Sequence, residues 1–339
     1  MVVSASAIAS QVGASILKKG GNAIDATVAV QFALAVAYPN AGNIGGGGFM
    51  VVRMNTGETN ALDFREKAPL KATRDMYLDN AGNVIPDMSG SGSIAAGVPG
   101  SVDGMVKAHQ KYGRLPWIEL VQPAIDLADN GFPISERQAK EFNKLKSVFL
   151  SWNDSLYNVT LVNRSNAEWK VGDLLVQKDL AATLKLIRDK GREGFYAGIT
   201  AENIIKEMKR SKGIISFEDL NAYQSVWRKP ITGWYKGLKV VSMPPPSSGG
   251  IALMQLLKMV ETFPLETYGW NSEAYTHLLT EAERRVYADR AQHLGDADFY
   301  LVPVNELRDS NYLISRMKSF NANTATSSIN IHAGIFSDS

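Results

Sequence analysis

Four consecutive glycines at residues 45–48 constrain the fold of this chain more than any other feature of its sequence. Residues 42–50 read Gly-Asn-Ile-Gly-Gly-Gly-Gly-Phe-Met. Glycine loses more backbone entropy on folding than any other residue, so a run of four indicates a segment that needs the freedom of a bare backbone. The run lacks the Gly-Lys-Ser/Thr ending of a P-loop and the spacing of a dinucleotide-binding turn. A structural tight turn is therefore favoured over a phosphate-binding loop.

Regular elements are predicted on both sides of the glycine run. Asn22 can cap an apolar helix that continues to about Tyr38, where a proline follows. After the run, the pattern predicts a β-hairpin with strands over 49–54 and 60–65, joined by a turn that contains glycine. Arg65 would then lie at a strand end beside the glycine turn, which is a plausible position for a substrate contact.

The rest of the chain is rich in predicted helices and poor in predicted strands. Helical patterns cover 8–16, 102–110, 117–130, 136–145, 180–189, 200–211, 251–263 and 272–292, and one short strand covers 239–243. A layered α/β fold is expected, but these strands are too few to complete a sandwich, so something else must supply more sheet. Residues 1–339 are expected to form a single domain, with the polar residues 320–339 as a flexible C-terminal tail.

Composition excludes several classes of function. The net charge is only +2, with 36 basic and 34 acidic residues, so a basic surface for nucleic acid is not indicated. There is no cysteine, and the four histidines do not form a His-Glu-x-x-His pattern, so no metal site is expected. The longest apolar run, residues 23–38, contains polar residues and is too short for a membrane span. No signal peptide is visible at the start of the sequence.

Arg65 is the main candidate site residue. It lies in the sequence Asp-Phe-Arg-Glu-Lys-Ala-Pro at residues 63–69. Its planar guanidinium can hold a carboxylate by two hydrogen bonds, which suggests a small anionic substrate. The alternative is a surface ion pair with Asp63 or Glu66, and the residues by themselves favour that alternative because most arginines are exposed and structural.

A second distinctive segment, residues 244–250, reads Pro-Pro-Pro-Ser-Ser-Gly-Gly. It could form a stiff wall with hydroxyl or backbone donors facing a pocket. It could instead connect a strand to a helix that begins at Ile251, with Ser247 or Ser248 as the helix cap, and this interpretation is favoured. A serine nucleophile is disfavoured because the sequence has no Gly-x-Ser-x-Gly motif here.

Taken together, ten segments in a fixed order resemble the large subunit of the γ-glutamyltranspeptidase family. Each segment alone is weak evidence, whereas the ordered set is highly specific and extends to about residue 318. The segments are 20–26, 42–49, 63–69, 96–100, 122–124, 131–132, 177–181, 195–196, 244–250 and 287–290.

The resemblance implies an α/β (α+β) fold, a four-layer αββα sandwich of the N-terminal-nucleophile hydrolase type. In this family a zymogen cleaves itself, and a threonine becomes the first residue of the small subunit, where its own α-amine can activate its hydroxyl. The family's Thr-Thr-His-Tyr/Phe segment does not occur in this sequence. No catalytic residue is therefore expected in this chain, the processing site is expected after Ser339, and the partner is expected to be the small subunit from the same precursor.

The resemblance also implies a reaction and two site residues. Arg65 corresponds to the arginine that binds the substrate α-carboxylate, and Glu66 corresponds to a supporting residue. The implied activity is γ-glutamyl transfer or hydrolysis, from glutathione or a similar donor to water or to an amino-acid or peptide amine, without metal or cofactor. The alternatives are a β-lactam (glutaryl) acylase, a poly-γ-glutamate depolymerase, or an inactive binding homologue. A periplasmic or secreted location is implied by the family alone.

Overall fold

The computed structural model describes residues 1–151, 160–163, 165 and 167–336. Contacts divide the chain into two units. The first unit comprises Met1–Gly48 and Phe64–Ser225, and the second comprises Phe49–Asp63 and Val226–Ser339. That residues 1–339 form a single domain stays a prediction, which this division into two units does not test.

Regular structure in the described residues consists of α-helices and short antiparallel strands. The helices are α1 (Ala7–Lys18), α2 (Ala23–Ala37), α3 (Ser101–Tyr112), α4 (Trp117–Asn130), α5 (Glu136–Ser151), α6 (Lys178–Lys190), α7 (Glu193–Tyr196), α8 (Gly198–Arg210), α9 (Phe217–Ala222), α10 (Gly249–Val260), α11 (Leu265–Tyr268), α12 (Glu273–His293) and α13 (Ser310–Arg316). The strands are β1 (Phe49–Arg53), β2 (Thr59–Asp63), β3 (Phe132–Pro133), β4 (Leu174–Leu175), β5 (Val226–Arg228), β6 (Ile231–Tyr235) and β7 (Leu238–Ser242). This mixture confirms the predicted α+β class.

The first unit is built around α2, which packs against α1, α3 and α4. Asn22 begins α2 as predicted, because its side chain accepts from the amide of Asp25 while the Asp25 carboxylate accepts from the amide of Asn22. Asp25 is fully buried and also accepts from the amide of Arg114 at 2.9 Å. The Asp25 carboxylate therefore both caps α2 and ties it to the segment between α3 and α4.

The second unit contains a three-stranded antiparallel sheet in the order β1-β2-β5. The hairpin pairs Phe49 with Asp63 and Arg53 with Thr59, which confirms the predicted β-hairpin. The second strand ends at Asp63 rather than at Arg65, so Arg65 follows the strand instead of ending it. Strands β6 and β7 form a separate hairpin, so the described sheets of this unit remain small.

Helices α10, α12 and α13 enclose an apolar core in the second unit. Its buried side chains are Met259, Val260, Leu278, Ala282, Val286, Leu313 and Met317. The predicted strand-to-helix connection over 244–250 is confirmed, since it joins β7 to α10. Of the two predicted caps, Ser247 accepts through Oγ from the amide of Gly249, the first residue of the helix. Ser248 occupies the N-cap position, but its hydroxyl accepts from Arg290 Nε at 3.0 Å and makes no cap hydrogen bond.

The C-terminal segment of the described chain, residues 320–336, contacts α12 and α13. Glu281 accepts from the amide of Thr326 at 2.8 Å, and Asp289 accepts from the amide of Gly334 at 2.9 Å. The ring of Phe336 lies 5.1 Å from the ring of Tyr312. Flexibility of this tail stays a prediction, and these contacts must break if the segment moves. The predicted processing site at Ser339 lies outside the described residues.

Candidate functional site

The glycine run packs against the chain around Arg65, within the first unit. The amide of Gly48 donates to the carbonyl of Phe64 at 3.2 Å, and the amide of Phe64 donates back to the carbonyl of Gly48 at 3.0 Å. The carbonyl of Gly46 accepts from the amides of Gly100 at 2.7 Å and Ser101 at 2.9 Å. The predicted proximity of Arg65 to the glycine turn is therefore confirmed.

The reason for glycine in this run is close approach rather than unusual backbone angles. All four residues have φ outside the left-handed region that favours glycine. A Cβ added at Gly47 would lie 2.5 Å from the carbonyl oxygen of Phe64 and 2.7 Å from the amide nitrogen of Glu66. A Cβ added at Gly45 would meet nothing within 4 Å. The backbone of residue 47 must therefore touch the backbone beside Arg65, and only glycine permits that distance.

Main-chain hydrogen bonds fix the segment that carries Arg65 and Glu66, which we call the arch (residues 64–70). The carbonyl of Arg65 accepts from the hydroxyl of Tyr223 at 2.8 Å. The amide and carbonyl of Lys67 both bond to Val98, at 3.2 and 2.8 Å. The amide of Leu70 donates to the buried carboxylate of Asp219 at 2.7 Å.

The two candidate side chains on this arch are exposed although its backbone is held. Arg65 and Glu66 are both exposed, whereas Phe64 before them is 5% exposed and fills the space beside Gly104. An exposed arginine on a fixed backbone can meet a ligand without unfolding its support. This arrangement suits the recognition of a small carboxylate by the guanidinium fork.

The sequence suggested Asp63 as an ion-pair partner of Arg65. In the structure, Asp63 forms an ion pair with Arg228, and both residues belong to the second unit. Arg228 Nε lies 2.8 Å from Asp63 Oδ2, and its two terminal nitrogens bond to both oxygens of Asp298. The hydrogen bonds that Arg228 donates to Asp298 and to Asp63 raise the pKa of its guanidinium above the usual value, against the effect of burial. Asp63 thus helps to fix the end of β2.

Sequence reasoning missed the buried residues that hold the arch. Tyr223 is 158 residues away from Arg65 in the sequence, and Asp219 is 149 residues away from Leu70. The signal available was a capping pattern, since Ser216 and Asp219 form a capping box at the start of α9. That pattern predicts where α9 starts, but it does not predict that the Asp219 carboxylate also accepts from the amide of Leu70.

Two classes of site are not found in the described part of the chain. No group of three or more His, Asp or Glu side chains there is placed to hold a metal ion. Within the same residues, no helix is both long and apolar enough to cross a lipid bilayer.

Comparisons with known proteins find sequence similarity to one family over nearly the whole chain. The family model described as gamma-glutamyltranspeptidase matches residues 9–336. A curated glutathione hydrolase proenzyme of Escherichia coli is 45% identical over 98% of this chain and 57% of its own length. A corresponding proenzyme of a Pseudomonas species is 44% identical over 99% of this chain and 58% of its own length. The chain therefore spans a little over half the length of the curated relatives it matches.

Comparison with solved structures shows that the fold of this chain is also that of a gamma-glutamyltranspeptidase. The crystal structure of the gamma-glutamyltranspeptidase of Helicobacter pylori has a TM-score of 0.95 and 47% identity, covering 98% of this chain and 95% of that chain. A relative named acylase ACY 1 proenzyme, from a Pseudomonas species, is less similar, at 37% identity over 93% of this chain and 57% of its own length. With the family model matching nearly the whole sequence, the chain belongs to the gamma-glutamyltranspeptidase family.

Proposed function

We propose that this chain is the large subunit of an enzyme that transfers or hydrolyses the γ-glutamyl group of glutathione and related donors. The family match and the relatives named glutathione hydrolase support the reaction class. One observation carries the role of this chain: Arg65 is exposed on an arch whose backbone is held on both sides. The proposed reaction needs no metal or organic cofactor.

Arg65 is proposed to bind the α-carboxylate of the donor. A carboxylate and a guanidinium can form two parallel hydrogen bonds, which fix both the position and the orientation of a small substrate. Glu66, also exposed and adjacent in the arch, is proposed to support this contact. Both roles carry over from the family at matching positions of the motif in residues 63–69.

The nucleophile is proposed to be the first threonine of a small subunit released from the same precursor after Ser339. Its hydroxyl would attack the γ-carbonyl carbon, form a γ-glutamyl-threonine ester and release the donor amine. Water or an amino-acid or peptide amine would then take the acyl group. Support comes from relatives named proenzymes, of which this chain spans a little over half.

The same partner is proposed to complete the four-layer αββα sandwich. In the described residues the second unit has sheets of three and two strands. Strand β1 exposes Phe49 and Val51 by 37% and 43% of their surfaces. Apolar side chains on a sheet favour burial against another element, so added strands would cover them. Export to the periplasm or the medium is proposed from the family resemblance alone.

The rival enzymatic function is that of an acylase or a poly-γ-glutamate depolymerase with the same fold. The relative named acylase is 37% identical, against 45% for the glutathione hydrolase proenzyme of Escherichia coli. Donor assays separate these functions, because a depolymerase and an acylase would prefer a polymer or a glutaryl amide over a free γ-glutamyl donor.

The decisive experiment replaces Arg65 in the full precursor and measures turnover of a γ-glutamyl anilide. Removing one partner of a desolvated charge pair costs roughly 2–5 kcal/mol. At about 1.4 kcal/mol per factor of ten, Arg65→Ala should lower kcat/KM for the donor by about 30-fold or more. Arg65→Lys should recover only part of the loss, because an ammonium cannot form the fork.

A second donor, in which the α-carboxylate is replaced by an amide, makes this experiment specific. Wild type should strongly prefer the acid, and Arg65→Ala should lose most of that preference. Arg74→Ala is the matched control, because Arg74 is a 95% exposed arginine of the same unit with a loose contact to Asp75. An unchanged acid-to-amide ratio in Arg65→Ala would reject the proposed site.

A further inference from the structure

We infer that Tyr223 is a positioning residue for substrate recognition: its buried hydroxyl holds the main-chain carbonyl of Arg65 and thereby sets the position of the guanidinium. This inference rests on the proposed function of Arg65 and extends it to a residue outside the family motif. Tyr223 is 2% exposed and lies directly after α9. Its hydroxyl donates to the Arg65 carbonyl at 2.8 Å.

Space for this hydrogen bond is reserved by a glycine. A Cβ added at Gly100 would lie 2.0 Å from the hydroxyl oxygen of Tyr223 and 2.1 Å from the carbonyl oxygen of Phe64. The same glycine donates its amide to the carbonyl of Gly46. The glycine turn, the arch and the tyrosine hydroxyl therefore meet at one point, and none of the three could shift without disturbing the others.

The ring of Tyr223 is held in place by its neighbours. It stacks on the ring of Tyr196, with centroids 5.8 Å apart and planes 6° from parallel. The hydroxyl of Tyr196 donates to the carbonyl of Pro99 at 2.8 Å, next to Gly100. The guanidinium of Arg192 lies 4.5 Å from the Tyr196 ring centroid and donates to the carbonyl of Tyr223 at 2.7 Å. Both the side chain and the main chain of Tyr223 are thus fixed.

An ion pair with a buried carboxylate orients the partly exposed side chain of Arg192 in turn. Arg192 Nε lies 2.9 Å from Asp103 Oδ1, and Asp103 is 4% exposed. The second oxygen of Asp103 accepts from the amide of Ser225 at 2.7 Å, two residues after Tyr223. Charged groups taken out of water keep their geometry only if their hydrogen bonds are made, so this network gives the tyrosine a single orientation.

The inference depends on the hydroxyl of Tyr223 and not on its ring. A phenylalanine would fill the same space and stack on Tyr196 equally well, so core packing alone does not require an oxygen. The oxygen donates to the residue proposed to bind the substrate carboxylate. A small displacement of a binding group can lower activity by orders of magnitude, because recognition by a bidentate fork depends on position and angle.

The test compares Tyr223→Phe with Tyr77→Phe in the processed two-chain enzyme. Tyr77 also donates its hydroxyl to a carbonyl, that of Ile94 at 3.3 Å, in the same unit. Tyr223→Phe should raise KM for the acid donor about tenfold with kcat changed by less than about threefold, since a contact made equally in ground and transition states affects binding. Its acid-to-amide preference should fall about tenfold, while Tyr77→Phe should resemble wild type.

The double variant Arg65→Ala/Tyr223→Phe should show the same acid-to-amide ratio as Arg65→Ala alone, because the hydroxyl acts through Arg65. If Arg65→Ala changes the ratio but Tyr223→Phe only lowers Tm, the inference is overturned and the proposed function stands. If Arg65→Ala leaves the ratio unchanged, both fall.

A second variant covers the case in which Tyr223→Phe does not fold. Placing 4-aminophenylalanine at 223 keeps the ring and a weaker donor. It should shift the acid-to-amide ratio in the same direction by a smaller factor, and a ratio equal to wild type would overturn the inference.

Discussion

Two irregular segments of this chain are held by buried polar groups, but the chemistry of the two attachments differs. The arch at 64–70 in the first unit is fixed mostly by neutral groups, namely the hydroxyl of Tyr223 and main-chain amides and carbonyls. The segment 320–336 in the second unit is fixed mostly by charged side chains of α12 and α13. The carboxylates of Glu281 and Asp289 accept its amides, and Arg316 donates to the carbonyl of His332.

The charged attachment is built on one face of α12. Glu281, Arg285 and Asp289 follow each other at intervals of four residues, so their side chains share a face of the helix. All three are at most 1% exposed. Arg285 lies 2.8 Å from Glu281, and Asp289 also accepts from the hydroxyl of Tyr312 at 2.7 Å. Removing Glu281 or Arg285 leaves the other one buried without its counter-charge, and removing Asp289 leaves the hydroxyl of Tyr312 and the amide of Gly334 without their acceptor.

The chemical difference between the two attachments predicts a difference in how they depend on pH. The hydrogen bonds made directly to the carbonyl of Arg65 and to Lys67 join neutral groups, namely peptide groups and a tyrosine hydroxyl, whereas the Leu70 end of the arch is held by the carboxylate of Asp219. Carboxylates lose their acceptor charge on protonation, so the hold on 320–336 should depend on pH. The hydrogen bonds nearest the proposed substrate contact are therefore expected to depend less on pH than those that hold the segment before the proposed processing site.

The largest effect is expected from Glu281→Ala. This change leaves Arg285 buried without its counter-charge, and breaking a buried pair in this way costs about 3–5 kcal/mol of unfolding free energy. It also removes the acceptor of the Thr326 amide. Denaturant unfolding of the processed enzyme measures the loss, and limited proteolysis should show faster cutting within 320–336.

Glu283→Ala is the matched control for that variant, because Glu283 lies on the same helix and is exposed. Its unfolding free energy should stay within about 0.5 kcal/mol of wild type. Similar losses in both variants would show that the buried face of α12 is no more important than its exposed face, which would break the comparison.

A smaller effect is expected at the glycine run, from Gly47→Ala compared with Gly45→Ala. The added Cβ at 47 meets two backbone atoms of the arch, and inserting a methyl group into a packed site costs about 1–3 kcal/mol. At 45 the space is open, so stability should be within about 0.5 kcal/mol of wild type. Thermal unfolding measures both.

Kinetics with the acid and amide donors test whether Gly47→Ala also displaces the arch, in comparison with Gly45→Ala. Gly47→Ala should also weaken the preference for the acid over the amide donor, because the displaced backbone carries Arg65. Equal behaviour of the two alanine variants in both assays would mean that the close contact at residue 47 is not required.

The smallest effect is a change with pH. Burial alone would raise the pKa of Glu281, but hydrogen bonds from Arg285 and Thr326 and the charge of Arg285 outweigh it, so the pKa lies below the usual value of 4.5. A carboxyl whose pKa is lower in the folded state stabilises the fold above the unfolded pKa. That stability is lost as pH falls from about 4.5 through the folded pKa.

Amide hydrogen exchange, corrected for its intrinsic pH dependence, measures this difference between the two segments. Protection of the Thr326 amide should fall below about pH 4.5, while protection of the Val98 amide, which donates to the carbonyl of Lys67, should change little. Leu70 is unsuitable as a reference because the carboxylate of Asp219 accepts its amide. Glu281→Gln should remove the pH step, and a step that persists would assign it to another group.

Local sequence patterns determined most of the regular structure. Asn22 and Asp25 sit three residues apart, so their reciprocal cap could be predicted from the chain alone, and α2 ends at Ala37 close to the predicted end. The hairpin of β1 and β2 followed from the turn with glycine between the two strands. Most predicted strand and helix ends lie within one or two residues of the observed ends, where fraying and packing decide the last turn. The exceptions are α5, which continues six residues beyond its predicted end to Ser151, and α10, which ends at Val260, three residues before its predicted end.

The candidate site was only partly accessible from the sequence. The motif at 63–69 identified Arg65 and Glu66 through the family resemblance. The proximity of Arg65 to the glycine run followed from the predicted hairpin. What the sequence could not show is why the glycines are needed. The prediction of a turn that needs backbone freedom gave way to a close backbone contact, since all four residues have ordinary φ angles.

Tertiary structure alone decided which distant groups hold the arch and the C-terminal segment. Tyr223 reaches Arg65 across 158 residues, and Asp289 reaches Gly334 across 45. Hydrophobic periodicity reports which face of an element is buried, but it carries no information about which polar atoms meet inside. Those partners are set by how helices pack, because a buried donor or acceptor must find a hydrogen bond wherever the fold places it.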